Sequence, residues 1–234
     1  MNSEHQGLYA RFFKRLLDVV LSGCALAVLS PVLLVVAILV RTKLGSPVIF
    51  CQERAGKDEK VFRMYKFRSM TDARDQAGNL LPDEVRLTPF GRKLRSTSLD
   101  ELPELWNIFR GDMSIIGPRP LLPSYLPYYT QEERHRHDVR PGLSGLAQVN
   151  GRSFLSWEEI FAFDVDYVRH VTFCRDVAIV LRTVKKILGR ADIADVAEMA
   201  QDKDGNCYVR DGDIMRKLHQ PLSVERGRQQ CSVK

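Results

Sequence analysis

The chain has 234 residues, enough for one sizeable domain or for one domain with an anchor, but hardly for two full domains. With 44% hydrophobic and 27% charged residues it is neither a disordered nor a collagen-like chain. The 35 basic and 29 acidic residues give a net charge of +6, which favours partners that carry phosphate or anionic lipid. The five cysteines lie far apart without a Cys-x-x-Cys pair, so we predict a reducing compartment, no disulfides and no zinc site.

One segment near the N-terminus is long and apolar enough to enter a membrane. Residues 19–40 carry no charge, and about 20 apolar residues suffice for a helix to cross the hydrocarbon core. The run is too long for a signal peptide and ends without a cleavage site, so we expect it to remain in the mature protein.

The topology of this segment stays open at the level of its residues. Basic residues flank it on both sides, which favours a segment that returns to the side it left. Ser30-Pro31 lies at its midpoint, where the proline removes a backbone donor and the serine hydroxyl can bond the carbonyl that is left free. A kinked single-pass helix accommodates the same proline.

The segments that follow predict short elements. Residues 48–54 and 60–67 read as two strands of a hairpin around the turn at 55–59. Most of the 11 prolines fall between residues 82 and 141, so the middle of the chain should consist of short helices joined by shaped loops.

Three later segments predict helices. Residues 130–133 and 156–159 have the spacing of capping boxes, and residues 176–188 carry an apolar stripe that ends at Gly189. The polar face of the third helix is basic, which suits a helix lying on anionic lipid, although an ordinary core-facing helix has the same pattern. Residues 191–234 are polar and lack an apolar stripe, so we interpret them as a loosely held tail.

Adjacent carboxylates at Asp100 and Glu101 are the densest chemical feature of the sequence. Neighbours within a helix point about 100° apart, but at a helix start both can face one site. A structural alternative is simpler, because Ser98 and Glu101 have capping-box spacing and Asp100 could itself be the cap. Gly111 should end the helix that follows.

Arginines held by glycine and proline surround this pair in the sequence. Residues 111–120 form a stiff turn around Arg119, and residues 140–142 lead into a second glycine-containing loop that ends at Arg152. Mg²⁺ binds through one or two carboxylates together with phosphate oxygens, and arginine forks match phosphate geometry. A carboxylate can also attack phosphorus and form an acyl phosphate. Together these groups indicate a magnesium–diphosphate site.

At this point the sequence resembles the bacterial sugar transferases, also described as small monotopic phosphoglycosyl transferases. The resemblance covers residues 14–190, roughly three quarters of the chain. Several motifs in the same order carry it: FKRLLD (13–18), SP (30–31), KFRSM (66–70), LDELP (99–103), GDMS (111–114), GPRP (117–120) and VRPG (139–142).

The resemblance implies a reaction and roles for particular residues. Sugar 1-phosphate would pass from a UDP-sugar to undecaprenyl phosphate with release of UMP, by a ping-pong mechanism through a phosphosugar-aspartyl enzyme. Asp100 matches the nucleophile and magnesium ligand of the family, and Glu101 matches its partner, although the sequence leaves open whether the metal is held by Asp100 alone or by both. Positions of the family's phosphate- and nucleotide-binding surface are matched by Lys66, Arg95, Arg119 and Arg152.

The resemblance also implies the architecture. We expect an α+β protein with a re-entrant membrane helix (residues 1–44) that is broken at Ser30-Pro31. A compact cytoplasmic catalytic domain of short helices, a small hairpin and interfacial amphipathic helices (45–190) follows, and then the tail (191–234). The protein should lie on the cytoplasmic face of the bacterial inner membrane; a homodimer is left open, and nucleic acid is not expected as a partner, because the basic residues are scattered.

The sugar and the class of function each have alternatives. Residues 120–126, 136–140, 156–157 and 163–165 most resemble transferases of N,N'-diacetylbacillosamine 1-phosphate, which favours a UDP-acetamido sugar. UDP-galactose or UDP-glucose, the donors for exopolysaccharide synthesis, are the rivals. From another class, charge and anchor alone would allow a membrane-anchored module that binds anionic lipid.

Overall fold

The computed structural model describes residues 7–151, 155–189, 208–211 and 214–217. These residues form a mixed helix and sheet architecture, as expected. The helices are α1 (Lys14–Leu44), α2 (Asp83–Arg86), α3 (Pro89–Ser96), α4 (Glu104–Arg110), α5 (Gln131–Arg134), α6 (Leu146–Val149), α7 (Trp157–Arg169) and α8 (Phe173–Gly189). The strands are β1 (Ile49–Ala55), β2 (Val61–Phe67), β3 (Ser114–Ile116), β4 (Gly142–Ser144), β5 (Tyr208–Asp211) and β6 (Ile214–Lys217).

Helix α1 contains the apolar segment and runs through Pro31 without interruption. The expected break at Ser30-Pro31 is therefore not seen as a gap in the helix. The helix continues because the hydrogen bond lost at the proline is replaced. Pro31 has no N–H to donate to the carbonyl of Ala27. The Ser30 hydroxyl donates to this oxygen at 2.8 Å, as the sequence predicted, and satisfies it.

One side of α1 packs on the rest of the protein, while the other side is exposed. Val36, Val40 and Leu44 are buried in a cluster with Phe67 and Leu94. Apolar side chains on the opposite side stand largely exposed, among them Val28, Leu34, Val35 and Ile38. Within the described residues, the helical stretch Tyr9–Leu44 is long and apolar enough to cross a membrane.

The predicted hairpin is confirmed. Strands β1 and β2 pair antiparallel, with Ile49 opposite Phe67 and Ala55 opposite Val61. One face of the hairpin packs on α4, where Met64 shares a buried cluster with Leu105 and Ile108. This contact places the start of α4 beside the end of β2.

A short parallel pair, β3 with β4, brings the two glycine–proline loops together. Gly117 donates its backbone N–H to the Ser144 carbonyl at 2.9 Å, and Gly142 donates to the Pro118 carbonyl at 2.9 Å. A Cβ on Gly117 would collide with the carbonyl of Arg140, so a larger residue does not fit there. The close backbone approach fixes the loop that carries Arg119.

The predicted helices of the second half are confirmed, and both capping boxes form. The Thr130 and Ser156 side chains cap α5 and α7, and the glutamates three residues later return the bond to the cap backbone. Helix α8 begins three residues before the predicted start. Ile179 is buried against the core, whereas Val177, Val180, Leu181 and Val184 of the predicted apolar stripe are exposed, with Leu181 at 65%. The ordinary core-facing interpretation of this stripe is therefore wrong.

Two strands lie in the segment interpreted as a tail. Tyr208–Asp211 pairs antiparallel with Ile214–Lys217. The rest of residues 191–234 lies outside the described residues.

Candidate active site

Asp100 and Glu101 lie in a single 3₁₀ turn, Leu99–Glu101, between α3 and α4. Ser98 precedes the turn with a left-handed backbone (φ 54°) and makes no capping hydrogen bond with its side chain. Helix α4 begins later, at Glu104. The capping alternatives for Ser98 and Asp100 are therefore wrong, because the Ser98 side chain caps nothing and the residue at the cap position of α4 is Pro103. Neither carboxylate is used as a helix cap.

Lys66, at the end of β2, is the cation around which the acidic residues gather. Its Nζ lies 2.8 Å from Glu101 Oε1 and 3.1 Å from Glu104 Oε1. Arg119 Nη2 approaches the same Glu101 oxygen at 3.5 Å. Glu101 thus joins two predicted phosphate-binding cations and sets their orientation.

Asp100 is buried, with 8% of its surface exposed. Burial raises the pKa of Asp100 to about 6, with a further rise from the negative charge of Glu101, while Lys66 and Arg95 oppose the rise. The carboxyl is therefore mainly ionised at neutral pH. Within the part of the chain that the structure describes, no basic side chain forms an ion pair with it. Asp100 is an anion held close to cations but not neutralised by any of them, as a nucleophile needs to be.

Glu104 is a third acidic residue of the site, and our sequence reasoning missed it. It lies in the first turn of α4, is almost fully buried, and its Oε1 makes no hydrogen bond although Lys66 Nζ is near. Burial is the main reason that the pKa of Glu104 is raised, and Glu101 adds to the rise. The signal was present, because Glu104 follows Glu101 by three residues and shares one side of a helical turn with it.

The three predicted arginines of the site, Arg95, Arg119 and Arg152, differ in what holds them. Arg95 is held at the end of α3, where its Nε donates to Ser69 Oγ at 2.9 Å, and its charge acts on Asp100. The backbone of Arg119 is fixed from behind, since its carbonyl accepts a hydrogen bond from Arg136 Nη2 at 2.8 Å. Arg152 lies outside the described residues. The structure therefore brings Lys66, Arg95 and Arg119 together with both predicted carboxylates.

The residues present fit a magnesium ion that is shared with a substrate, but not one held by the protein alone. In the described ranges, no cluster of three or more His, Cys, Asp or Glu side chains has the arrangement of a metal site. Glu101 is engaged by Lys66 and Arg119, which leaves the Asp100 carboxylate as the protein ligand. Mg²⁺ commonly binds through one or two carboxylates and completes its shell with phosphate oxygens and water.

The chain belongs to the bacterial sugar transferase family, whose profile matches residues 9–190. The predicted family is thus confirmed, and with it the prediction that the protein is a transferase. It is 51% identical over 201 residues to the uncharacterized sugar transferase EpsL of Bacillus subtilis, a match that covers 86% of this chain and 98% of EpsL.

Two further relatives carry named activities. The UDP-glucose:undecaprenyl-phosphate glucose-1-phosphate transferase of Klebsiella pneumoniae is 41% identical over 184 residues, which is 74% of this chain and 40% of that protein. The UDP-N-acetylgalactosamine-undecaprenyl-phosphate N-acetylgalactosaminephosphotransferase of Aeromonas hydrophila is 36% identical over 189 residues, 77% of this chain and 44% of that protein. The chain thus spans less than half the length of either enzyme.

Proposed function

We propose that this protein transfers sugar 1-phosphate from a UDP-sugar to undecaprenyl phosphate and releases UMP. The observation that carries the proposal is the buried Asp100 carboxylate, which is ionised near neutral pH and lies among Lys66, Arg95 and Arg119 without being paired to them. The names of the relatives support the same donor and acceptor classes.

In the first half-reaction, an Asp100 oxygen attacks the phosphorus that carries the sugar. A carboxylate–phosphorus bond forms, and the bond from this phosphorus to the bridging oxygen breaks. UMP leaves with that electron pair. Lys66 and Arg119, oriented by Glu101, stabilise the phosphate oxygens as charge builds up on them. Magnesium bound by Asp100 and the diphosphate would supply further charge neutralisation.

In the second half-reaction, a phosphate oxygen of the lipid attacks the same phosphorus from the side that UMP has left. The phosphorus–Asp100 bond breaks, and the free carboxylate is restored. Attack and departure in both steps need one set of cations, so a single phosphate pocket serves twice. Lys66 and Arg95 favour the charged form of Asp100 and therefore assist its departure from phosphorus, against the effect of burial.

The placement of α1 supports a re-entrant anchor. A helix of 31 residues is roughly 46 Å long at 1.5 Å per residue, enough to separate its ends by a bilayer. Here both ends contact the same folded unit. Arg15 Nη1 donates to the Ile108 carbonyl at 2.6 Å, while at the other end Val40 and Leu44 are buried against Phe67. We therefore propose that the anchor enters and leaves on the cytoplasmic face, and that the exposed apolar face of α8 rests on the same surface.

Cysteine labelling in sealed cells tests this topology. Single cysteines at positions 5 and 45, in a background without the native cysteines, should both be labelled from the cytoplasm only. Labelling of the two positions from opposite sides would contradict the re-entrant anchor and leave a single-pass helix.

The sugar remains a prediction, with a UDP-acetamido sugar such as UDP-N,N'-diacetylbacillosamine as our proposal. The named relatives act on a glucose donor and on an N-acetylgalactosamine donor, so both sugar classes occur among them. Release of UMP with UDP-glucose or UDP-galactose alone would reject the acetamido proposal but keep the mechanism.

The reaction is tested by UMP release from purified full-length protein with Mg²⁺, undecaprenyl phosphate and a panel of UDP-sugars. We expect release with one or two donors, loss of release in Asp100→Asn, and an intact-mass increase equal to one sugar phosphate when the acceptor is omitted. Asp83→Asn, which changes an exposed carboxylate paired with Arg86, is the matched control. Turnover by Asp100→Asn would reject the covalent mechanism, and membrane binding without turnover for any donor would favour the lipid-binding module.

A further inference from the structure

Arg54 is a cation near the candidate active site that neither the motifs nor the predicted site includes. It lies on β1 opposite Phe62, whereas Lys66 lies on β2 opposite Phe50. Positions 62 and 66 are an even number of residues apart, so Arg54 and Lys66 share one face of the hairpin. At about 3.3 Å per residue, the two positions are roughly 13 Å apart along it.

Two of the three guanidinium nitrogens of Arg54 donate to neutral acceptors. Its Nη2 donates to Gln52 Oε1 at 2.6 Å and its Nη1 to the Pro120 carbonyl at 3.4 Å, while its buried Nε has no partner. Among the described residues, no carboxylate forms an ion pair with it. Burial and the neighbouring charge of Arg119 lower the pKa of Arg54 to about 10, so it stays charged at neutral pH.

The contacts arrange the charged groups in a row that leads away from Asp100. Lys66 is the cation nearest to the carboxylates and shares Glu101 with Arg119. The residue after Arg119 contacts Arg54 through its carbonyl. The row therefore runs from Asp100 past Lys66 and Arg119 to Arg54.

Two partly buried arginines side by side repel each other unless an anion lies between or beside them. Glu101 offsets the charge of Arg119 at 3.5 Å, whereas Arg54 feels the charge of Glu104 only from beyond ion-pair distance within the described residues. Charge-assisted hydrogen bonds from an arginine fork to phosphate would supply the missing acceptors. The far end of the row is thus suited to a phosphate that is not the one attacked.

We propose that Arg54 binds the phosphate of the UMP half of the donor, while Asp100 attacks the phosphorus that carries the sugar. This inference rests on the proposed function. It assigns to Arg54 a role in the first half-reaction alone, because the lipid acceptor brings no nucleotide.

Steady-state kinetics of a ping-pong enzyme separate the two halves. The kcat/KM for the UDP-sugar reports the first half-reaction and the kcat/KM for undecaprenyl phosphate reports the second. We expect Arg54→Gln to lower the former by about 10- to 100-fold, the range for loss of a charged hydrogen bond, and to leave the latter within about twofold. Arg54→Lys, which keeps the charge but not the fork, should lie between.

Two further variants make the test specific. Arg63→Gln changes an exposed arginine of the adjacent strand and should leave both constants unchanged. Gln52→Glu would place a carboxylate against Arg54 and should lower the donor constant in the same way, without removing the arginine. An equal fall of both constants in Arg54→Gln would mean a structural role and would overturn the proposal, as would an unchanged donor constant.

Direct binding of UMP to the full-length protein separates this inference from the reaction itself. Titration calorimetry should show UMP affinity about 10- to 100-fold weaker in Arg54→Gln than in wild type and in Arg63→Gln. If wild type binds UMP and Arg54→Gln binds it equally well, the inference fails even though the reaction stands. If wild type neither binds UMP nor releases it, the proposed function fails, and the inference with it.

Discussion

Lys14 Nζ lies 2.6 Å from Asp176 Oδ2, and this ion pair ties the first turn of α1 to α8. The same carboxylate accepts hydrogen bonds from the Tyr9 hydroxyl at 2.7 Å and from the Tyr167 hydroxyl at 2.6 Å. Three donors, two from the helical stretch Tyr9–Leu44 and one from α7, therefore converge on Asp176. The anchor and the amphipathic helix are held in one arrangement by a buried polar cluster and not by apolar packing alone.

We expect Asp176→Ala to destabilise the protein by about 3 kcal/mol or more, because removing one partner of a buried pair leaves the other charge uncompensated. Thermal unfolding in detergent measures the change. Asp83→Ala, which removes an exposed partner of Arg86, should cost less than about 1 kcal/mol. Equal effects of the two substitutions would show that the cluster at Asp176 does not stabilise the fold.

The ionised carboxylate of Asp100 should lower the folding stability of the protein at neutral pH. Its pKa is raised to about 6 in the folded protein, so the folded state binds protons more readily than the unfolded state between about pH 4 and 6. Stability then falls as pH rises through this range. We expect Asp100→Asn to be more stable than wild type by roughly 1–3 kcal/mol at pH 7 and to lose this advantage near pH 4. Unfolding curves of both proteins at pH 7 and pH 4 measure this stability difference. An Asp100→Asn variant less stable than wild type at pH 7 would contradict the prediction.

The same pKa predicts the acid limb of the first half-reaction. Protonated Asp100 is not a nucleophile, so the rate of UMP release in a single turnover should rise with pH through about 6 and then level off. Single-turnover assays of UMP release between pH 4.5 and 8, at constant ionic strength, measure this pH dependence. A rate that does not change across pH 6 would mean that the attacking group is not this carboxyl.

Asn107 should couple the two elements that carry Lys66 and Glu104. Its side chain is fully buried, donates to the Arg63 carbonyl at 2.7 Å and accepts from the Tyr65 N–H at 3.0 Å. We expect Asn107→Leu to cost roughly 2–4 kcal/mol, because two backbone groups of β2 lose their partner in a buried place. UMP release by the variant that remains folded should fall as well, and full activity would show that the register of β2 and α4 does not set the site.

Gly117 should be irreplaceable for the Arg119 loop. A methyl group at this position meets the backbone of residues 140–142, which cannot move without separating β3 from β4. We expect Gly117→Ala to weaken donor kcat/KM by at least 10-fold through displacement of Arg119. Gly7→Ala, at a position with open space around it, is the control. Unchanged kinetics of Gly117→Ala would mean that the loop position does not control Arg119.

Much of the local structure followed from short-range signals in the sequence. The hairpin, both capping boxes and the end of α4 at Gly111 depend on residues only a few positions apart, and all of them form. The bond from Ser30 to Ala27 is of the same kind. The residues that the motifs predicted for the site also lie together, namely Asp100 and Glu101 with three of the four predicted phosphate-binding residues.

Errors arose where a spacing allowed more than one local solution. Ser98 and Glu101 have the spacing of a capping box, but the backbone at Ser98 is left-handed and its side chain makes no capping hydrogen bond. The stripe on α8 has the periodicity of a core-facing helix. Periodicity shows that a helix has an apolar face, but it does not show whether that face packs on the core or stays exposed.

The sequence by itself determined the family, the long apolar N-terminal helix and the choice of Asp100 and Glu101 as the candidate pair, because these depend on composition and on motifs that are contiguous in the chain. Only the tertiary structure decided that Glu104 lies beside the pair, that Asp176 collects three donors and that Arg54 is hydrogen-bonded to neutral acceptors. The physical reason is that these properties are set by burial and by charges from segments far apart in sequence. A carboxylate or a guanidinium acquires its role from the groups that folding places around it.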